Sequence, residues 1–570
     1  MAEEGWALMS VRTRRRVGVA RIGTAGVTLL LMLGLPLASP AGASDQPEVM
    51  QVADIDPSGG SSPRGFTVFG DHMYFRANDG ITGSELWRTD GLSAELVADV
   101  NPSGNSSPAE VTALGGWLYF VASSESTGRE LWRTDGSSTE LVADIHASAS
   151  SNPVGLTVFE DQLYFRADDG VAGREIWRTD GTTTERVTDI NPGSGDSSHV
   201  GVASLTVLDG RLYFRAFDQN FDDRLWWTDG TTTEPVPGSP SSPEQLTVFG
   251  DHLYVNGFRS ETGRELWRTD GTTTERVVVD PEGNSWPLGL TVFGDHLYFS
   301  ARHRLWGNEL WRTNTTTAEL VADINFLTGS SNPAYLTVHG DHLYFSATDG
   351  STGPELWRTD GSSAELVADI DAGGIGSAPM NLTPFGDHLY FDARLLETGR
   401  ELWRTNGSRA ELVADINPGG GWSRTFDAGR PTTFGDHLYF DASDGITGAE
   451  LWRLGPPLTA NLSLSDDRVA TGERVKASAT VVNFGPHELV DVTVELRASE
   501  SVRPNKGSYT IESLAVGERR TVHWQVCASE EGTFELVVEV EARMTSGEVF
   551  TTESASEVLH VDASGEPPCR

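Results

Sequence analysis

A heptapeptide of the form Glu-Leu-Trp-Arg-Thr-Asp-Gly returns nine times in this chain, and a return at that spacing leaves few folds open. Its tryptophans are Trp87, Trp132, Trp177, Trp226, Trp267, Trp311, Trp357, Trp403 and Trp452. Successive gaps are 45, 45, 49, 41, 44, 46, 46 and 49 residues. A tyrosine stands 13 residues before each tryptophan, at Tyr74, Tyr119, Tyr164, Tyr213, Tyr254, Tyr298, Tyr344, Tyr390 and Tyr439. The Tyr-to-Trp interval never varies, so all length variation lies between one Trp and the next Tyr. A fixed period of this size marks a propeller, a solenoid or an array.

Each repeat reads as four short strands. In the seventh, Leu336 to His339 precedes the turn signal Gly340-Asp341, and His342 to Ala347 is aromatic and β-prone. A polar loop leads to Glu355 to Thr359, and Asp360-Gly361 turns the chain into Ala364 to Ile370. Four strands per ~45 residues is the arithmetic of a propeller blade. The ninth repeat stops at Arg453 without its fourth strand, while an orphan copy of that strand, Glu48 to Ile55, stands before the first repeat. The expected fold is therefore all-β: a propeller of about nine blades closed by the N-terminal strand. Two rings of four and five are the alternative, because propellers usually hold about four to eight blades. The seam would then lie at Glu234-Pro235-Val236-Pro237, since prolines suit an edge strand.

The recurring Trp-x-Thr-Asp-Gly and Leu-Tyr-Phe segments resemble the ELWxxDGT repeat family of bacterial exported proteins, over roughly residues 48–453. More distantly they are similar to the TolB-type propeller repeat. The resemblance implies a secreted β-propeller and no particular activity. The fourth copy departs most, reading Arg224-Leu225-Trp226-Trp227.

Beyond the Pro456-Pro457 break the repeat ends. Alternating runs such as Val475 to Val482, Val490 to Leu496 and Phe534 to Ala542 are half-buried strands. Some seven strands in about 100 residues predict an immunoglobulin-like β-sandwich. Gly472-Glu473, Val482-Asn483-Phe484-Gly485 and Leu514-Ala515-Val516-Gly517-Glu518 resemble the CARDB family, which implies a spacer or adhesion module.

The N-terminus reads as an export signal. Arg12, Arg14, Arg15, Arg16 and Arg21 precede the apolar run Val27 to Leu37 and the small-residue site Ala41-Gly42-Ala43. The expected domains are a signal peptide at 1–43, the propeller at 44–457, the sandwich at 458–562 and a tail at 563–570. A secreted monomer, free or cell-surface-associated and without membrane insertion, is the expectation. The chain carries a net charge of −40, and its first 43 residues hold five Arg and two Glu, which leaves about −43 on the remainder. Such a field repels nucleic acid. Cys527 and Cys569 can make at most one bridge, tying the tail to the C-terminal domain, and spacing alone does not establish it.

The sequence holds no Gly-x-Ser-x-Gly elbow, no His-Glu-x-x-His and no phosphate loop. Six histidines follow Gly-Asp turns, at His72, His252, His296, His342, His388 and His437, one per repeat. Ligands of one ion must meet at about 2 Å, so these are expected to be turn residues packing on their own blades. The motif Glu and Arg occur together in eight of nine copies, and a bridge from one blade's Glu to the next blade's Arg is expected. Loops such as Asp168-Asp169-Gly170 and Asp349-Gly350 are oxygen-rich, and calcium is the one cofactor they suggest; an Asp-Gly turn explains them more simply.

The loops that vary most between copies hold Trp286, Trp422, Tyr335, Arg302, His303, Arg304 and Arg394, along with Phe217 to Asp223. They are expected to open on one face, and exposed Trp, Tyr and Arg anchor partners or stack on sugars. The expected function is a secreted, non-catalytic binding or adhesion protein that presents this face to an extracellular protein or glycan. Two other readings are a polysaccharide-active enzyme, with Asp218, Asp222 and Asp223 the acids to suspect, and a purely structural matrix protein.

Overall fold

The computed structural model describes residues 48–193, 205–326, 328–424, 429–554 and 556–563. The segment read as an export signal, the tail and Cys569 lie outside them. Cys527 is disulfide-bonded. Among the described residues every regular element is a strand. No helix there is long and apolar enough to cross a membrane.

The repeats fold as nine four-stranded antiparallel sheets among the described residues. The first comprises Arg64–Phe69, His72–Asn78, Ser84–Thr89 and Ala94–Ala98. In the seventh the strands are Ala334–His339, His342–Thr348, Pro354–Thr359 and Ala364–Ala368, within two residues of the sequence reading. The ninth sheet takes its fourth strand from Glu48–Ala53, which pairs antiparallel with Ala449–Gly455. The orphan copy of the strand thus sits where the last repeat lacks one.

Each letter of the motif has a structural task. The Thr and Asp build the hairpin turn. Thr134 donates its hydroxyl to the carbonyl of Ser138 (2.7 Å) and accepts the N–H of Gly136 (3.0 Å). Asp135 accepts the N–H groups of Ser137 and Ser138 at 2.8 and 2.7 Å. Gly136 has φ +89°, and a Cβ there would come 2.6 Å from the Tyr74 hydroxyl of the preceding sheet. A side chain would be strained and would collide.

The core is a succession of inter-sheet clusters. Tyr74 and Leu86 pack on Leu118 and Phe120 of the second sheet. Tyr119 and Leu131 pack on Leu163 and Phe165 of the third. The same pairing runs through the later sheets, including Tyr213 and Leu225 of the fourth on Leu253 and Val255 of the fifth. Tyr439 and Leu451 of the ninth pack on Met73 and Phe75 of the first. Because each sheet buries its face only against a neighbour, no repeat has a complete core alone.

The motif Glu works at the same boundaries. Glu355 is fully buried and accepts the N–H of Ser377 (2.8 Å), the hydroxyl of Ser377 (2.6 Å) and the N–H of Ile370 (3.1 Å). These donors lie on the connection leading to the next sheet. Glu85, Glu130, Glu309 and Glu401 clamp Ser106, Ser151, Ser331 and Ser423 in the same way, and Glu450 of the ninth sheet clamps Ser61. Glu265 holds the hydroxyl of Ser285 likewise, and burial pushes these carboxyls up, to about 7 at Glu265 and Glu401.

This corrects the expected Glu-to-Arg bridge between sheets. The motif Arg faces the other side of its strand and pairs with a glutamate of its own fourth strand, as in Arg358–Glu365 and Arg133–Glu140, both 2.5 Å. It still reaches across, but to a carbonyl: Arg88 Nη1 donates to Gly136 O at 2.8 Å and Arg312 Nη1 to Gly361 O at 2.8 Å.

The C-terminal part has ten strands among the described residues rather than some seven. One sheet joins Leu458–Leu464, Arg474–Asn483, Arg519–Ala528 and Val502–Pro504, and the other is built around Gly532–Met544 and Leu489–Arg497. They share one core around Trp524, Val481, Val492 and Val538. Phe484 carries the join to the repeats. The Arg453 guanidinium lies 4.5 Å over its ring, Arg453 Nη2 donates to its carbonyl at 2.7 Å, and the His437 ring sits 4.3 Å away.

Candidate functional site

Antiparallel pairing puts the loops between second and third strands at the same end of a sheet as the connections to the next sheet. The variable residues occupy that end. Part of the expected set converges around the connection 280–286. Trp286 is half exposed, its N–H bonds the carbonyl of Arg264 at 3.0 Å, and the Arg264 guanidinium lies 5.2 Å from its ring. Arg302 donates its N–H to Ser285 O, beside Trp286, at 2.7 Å. Arg304 pairs with Glu282 and donates its N–H to Asp280 at 3.0 Å. His303 is buried, stacked 4.2 Å from Trp306 and close to Trp311, and burial lowers its pKa.

The other expected residues are spread over later sheets. Tyr335 lies in the first strand of the seventh sheet and is half exposed. Arg394, in the eighth, pairs with Asp371 at 3.6 Å. Trp422 lies on the connection to the ninth and is 41% exposed.

Two of these aromatics are held in unfavourable backbone. Trp286 has φ +44° and Tyr335 φ +58°. At the position of Trp286 other copies have Ser62, Ser107, Asn152, Ser242, Asn332 and Ala378, all with positive φ. At the position of Tyr335 they have Gly65, Glu110, Gly155, Gln245, Gly289 and Asn381. The repeat imposes left-handed backbone at both places, where small or flexible residues are at ease. A bulky aromatic there costs on the order of 1 kcal/mol or more, and half exposure returns little of it as burial.

The acids of the fourth repeat are engaged. Asp223 pairs with Arg215 at 2.5 Å, Asp222 pairs with Arg224, and Asp218 accepts the N–H groups of Asn220 and Asp222 at 2.8 and 3.1 Å. The oxygen-rich loops are turns: Asp169 accepts Val171 and Ala172 N–H, and Asp349 accepts Ser351 and Thr352 N–H. Among the described residues no three His, Cys, Asp or Glu side chains gather as a metal cluster. The turn histidines pack on their own sheets, as His72 does 6.4 Å from Tyr74 with Asp71 on its Nδ1.

The sequence reading missed a polar column. The residue two past each Tyr is Arg76, Val121, Arg166, Arg215, Asn256, Ser300, Ser346, Asp392 or Asp441, running from basic to acidic along the repeats. The acidic end is neutralised: Arg424, fully buried, bonds Asp392 at 2.6 Å and Asp441 at 3.1 Å. Arg215 at the basic end is paired as well, with Asp223 and with Glu244 at 3.4 Å. Variation in one column of an otherwise regular repeat was the available signal. Arg430 was a second omission: it reaches out of its own sheet to Thr383 at 3.3 Å and Thr337 at 3.5 Å, on the two preceding sheets.

The CARDB family model matches residues 455–551, so the chain carries a CARDB domain there. No curated protein sequence matches the chain. Among solved structures it is similar to the computationally designed Ika8 protein, 13% identical, with 70% of this chain and 98% of that chain covered and a TM-score of 0.35. It is similar to puromycin hydrolase, 13% identical, covering 67% of this chain and 59% of that one, TM-score 0.32. The C-terminal part is similar to the CARDB domain of the PF1109 protein from Pyrococcus furiosus, 16% identical, covering 18% of this chain and 87% of that one, TM-score 0.15.

Proposed function

We propose that this is an exported, non-catalytic binding protein whose variable loops hold an extracellular protein or glycan. The observation that carries the reading is the pair Trp286 and Tyr335, large aromatics kept in left-handed backbone and half exposed. Uncompensated local strain is retained where something outside the fold uses it, and Trp and Tyr anchor partners at low entropic cost. The clustered Arg302 and Arg304 supply polar contacts beside Trp286.

The scaffold in this reading is a single nine-bladed propeller of the ELWxxDGT type. The packing of the ninth sheet on the first and of the fourth on the fifth supports one ring over two. The CARDB domain acts as an immunoglobulin-like spacer held at the ring by Phe484. The basic, apolar and small-residue order of residues 12–43 supports export.

The test uses residues that the other repeats already tolerate. Trp286→Ser and Tyr335→Gly are combined, and the full chain is assayed against cell-envelope and secreted polysaccharide fractions. Binding should fall at least tenfold while the melting temperature holds or rises, because strain is relieved. Undiminished binding by the double variant would refute the assignment of this face.

A further inference from the structure

The basic end of the polar column opens into a cavity. Arg64 and Arg76 face each other in register on the first two strands of the first sheet. Both line a cavity of about 310 Å³ between the first and second sheets, with Phe66, Leu86, Pro108 and Val111 as its apolar walls. Neither guanidinium has an ion pair or hydrogen bond among the described residues. Burial, and after it the like charge of Arg64, lowers the Arg76 pKa. Arg129 of the second sheet adds to the same field and spends one N–H on the carbonyl of Ser107, at 2.9 Å. The cavity's one carboxylate, Glu110, is turned to the N–H of Gly155 at 3.0 Å.

An arginine pair without a bonded carboxylate is out of keeping with this molecule. Arg424 neutralises the acidic end, Arg215 is paired, and the whole chain carries −40. With acids so abundant, a pair that no carboxylate bonds, Arg64 feeling only the charge of Asp441 and that acid already bonded by Arg424, is placed for a partner from outside. We propose that the cavity lined by Arg64 and Arg76 is a binding site for one compact oxyanion, a sulfate, phosphate or carboxylate group gripped by the two guanidinium forks. Planar forks match such groups in bidentate geometry, which a point-charge ammonium does not. The anion enters against a repelling outer field, so affinity rises as salt screens that field and falls where added anions compete. The site stands apart from the aromatic loops and does not depend on their role.

The same chemistry is offered by a free ion or by an acidic sugar in a polymer. The full chain is titrated calorimetrically with inorganic sulfate, inorganic phosphate and polygalacturonate. Arg64→Gln and Arg76→Gln are compared with Arg468→Gln, which removes an exposed arginine of the CARDB domain. The expected result is one saturable site, weakened about tenfold or more by each cavity variant and unchanged by Arg468→Gln. Loss with sulfate or phosphate assigns a free ion, and loss with the polymer alone assigns an acidic glycan. Melting curves accompany each variant, and Arg76→Lys, which keeps the charge and removes the fork, stands in if Arg76→Gln does not fold. Absence of saturable binding by every probe, or equal affinity in the cavity variants and the parent, overturns the proposal.

Discussion

At Glu355 a single carboxylate holds the path of the chain from one sheet to the next. Its two donors on Ser377 are buried and the N–H of Ile370 is part-buried. Leaving buried donors unmet costs about 1–3 kcal/mol each, of which relaxation recovers part. Glu355→Ala should therefore lower stability by roughly 3–5 kcal/mol, read as a shift in the urea midpoint at unchanged slope. An unshifted midpoint would show that the clamp carries no weight. The Glu was legible as important in the sequence, because it recurs, but its partner was not. The Ser it holds lies 22 residues downstream at Ser377, in the part of the repeat whose length changes, so no fixed spacing ties the two. Trp286 and Tyr335 were legible as odd residues for their positions. Their left-handed backbone was not, because other copies fill those positions with residues as different as Ser, Asn, Glu and Gln.

At the scale of the element, the fourth repeat shows how a lost interaction is replaced. It has Trp227 in place of the motif Arg, and Arg211 in place of the residue that starts the second strand. The Arg211 guanidinium stacks 3.8 Å over the Trp227 ring. A Cβ on Gly271 of the fifth sheet would come 3.1 Å from Arg211 Nη1, where other sheets present the motif Arg to that glycine. The cation comes from the adjacent strand and does the same work. Strand positions were readable from alternation and turn residues, while this exchange was not, since pairing across strands depends on register. The ninth repeat diverts its own Arg. Arg453 bonds Gly91 O and Phe484 O and is largely buried, and burial beside it drives His437 down to about 3, so that ring stays neutral. Arg453→Ala should detach the CARDB domain energetically, at about 2–3 kcal/mol for buried charged hydrogen bonds. A calorimetric endotherm that is single in the parent should split into two, and a single peak at the parent temperature would rule this coupling out.

For the whole molecule, the buried glutamates set how stability follows pH. The folded carboxyls of Glu265 and Glu401 titrate near 7 against an ordinary value of 4.5. The folded state therefore keeps these protons longer than the unfolded chain, and stability falls as pH rises from about 4.5 to 7. The turn aspartates act oppositely: hydrogen bonds hold Asp229 and Asp349 near 2, so their contribution is lost only as pH drops below the unfolded value of about 4. The melting temperature should peak between pH 4 and 5 and decline toward 7.5, and Glu401→Gln should flatten part of that decline. A melting temperature that climbs steadily to pH 7.5 would contradict this. The clamp also bears on how such a chain grows. Eight of the nine repeats contribute a Glu, the fourth having Arg224 there, and Ser61 closes the account for Glu450. Away from the third and fourth repeats, a duplicated or deleted stretch of one period leaves each clamping carboxylate with a serine. Recombination can change the copy number without creating an orphaned charge, and the gene can lengthen or shorten by whole units while the protein stays foldable.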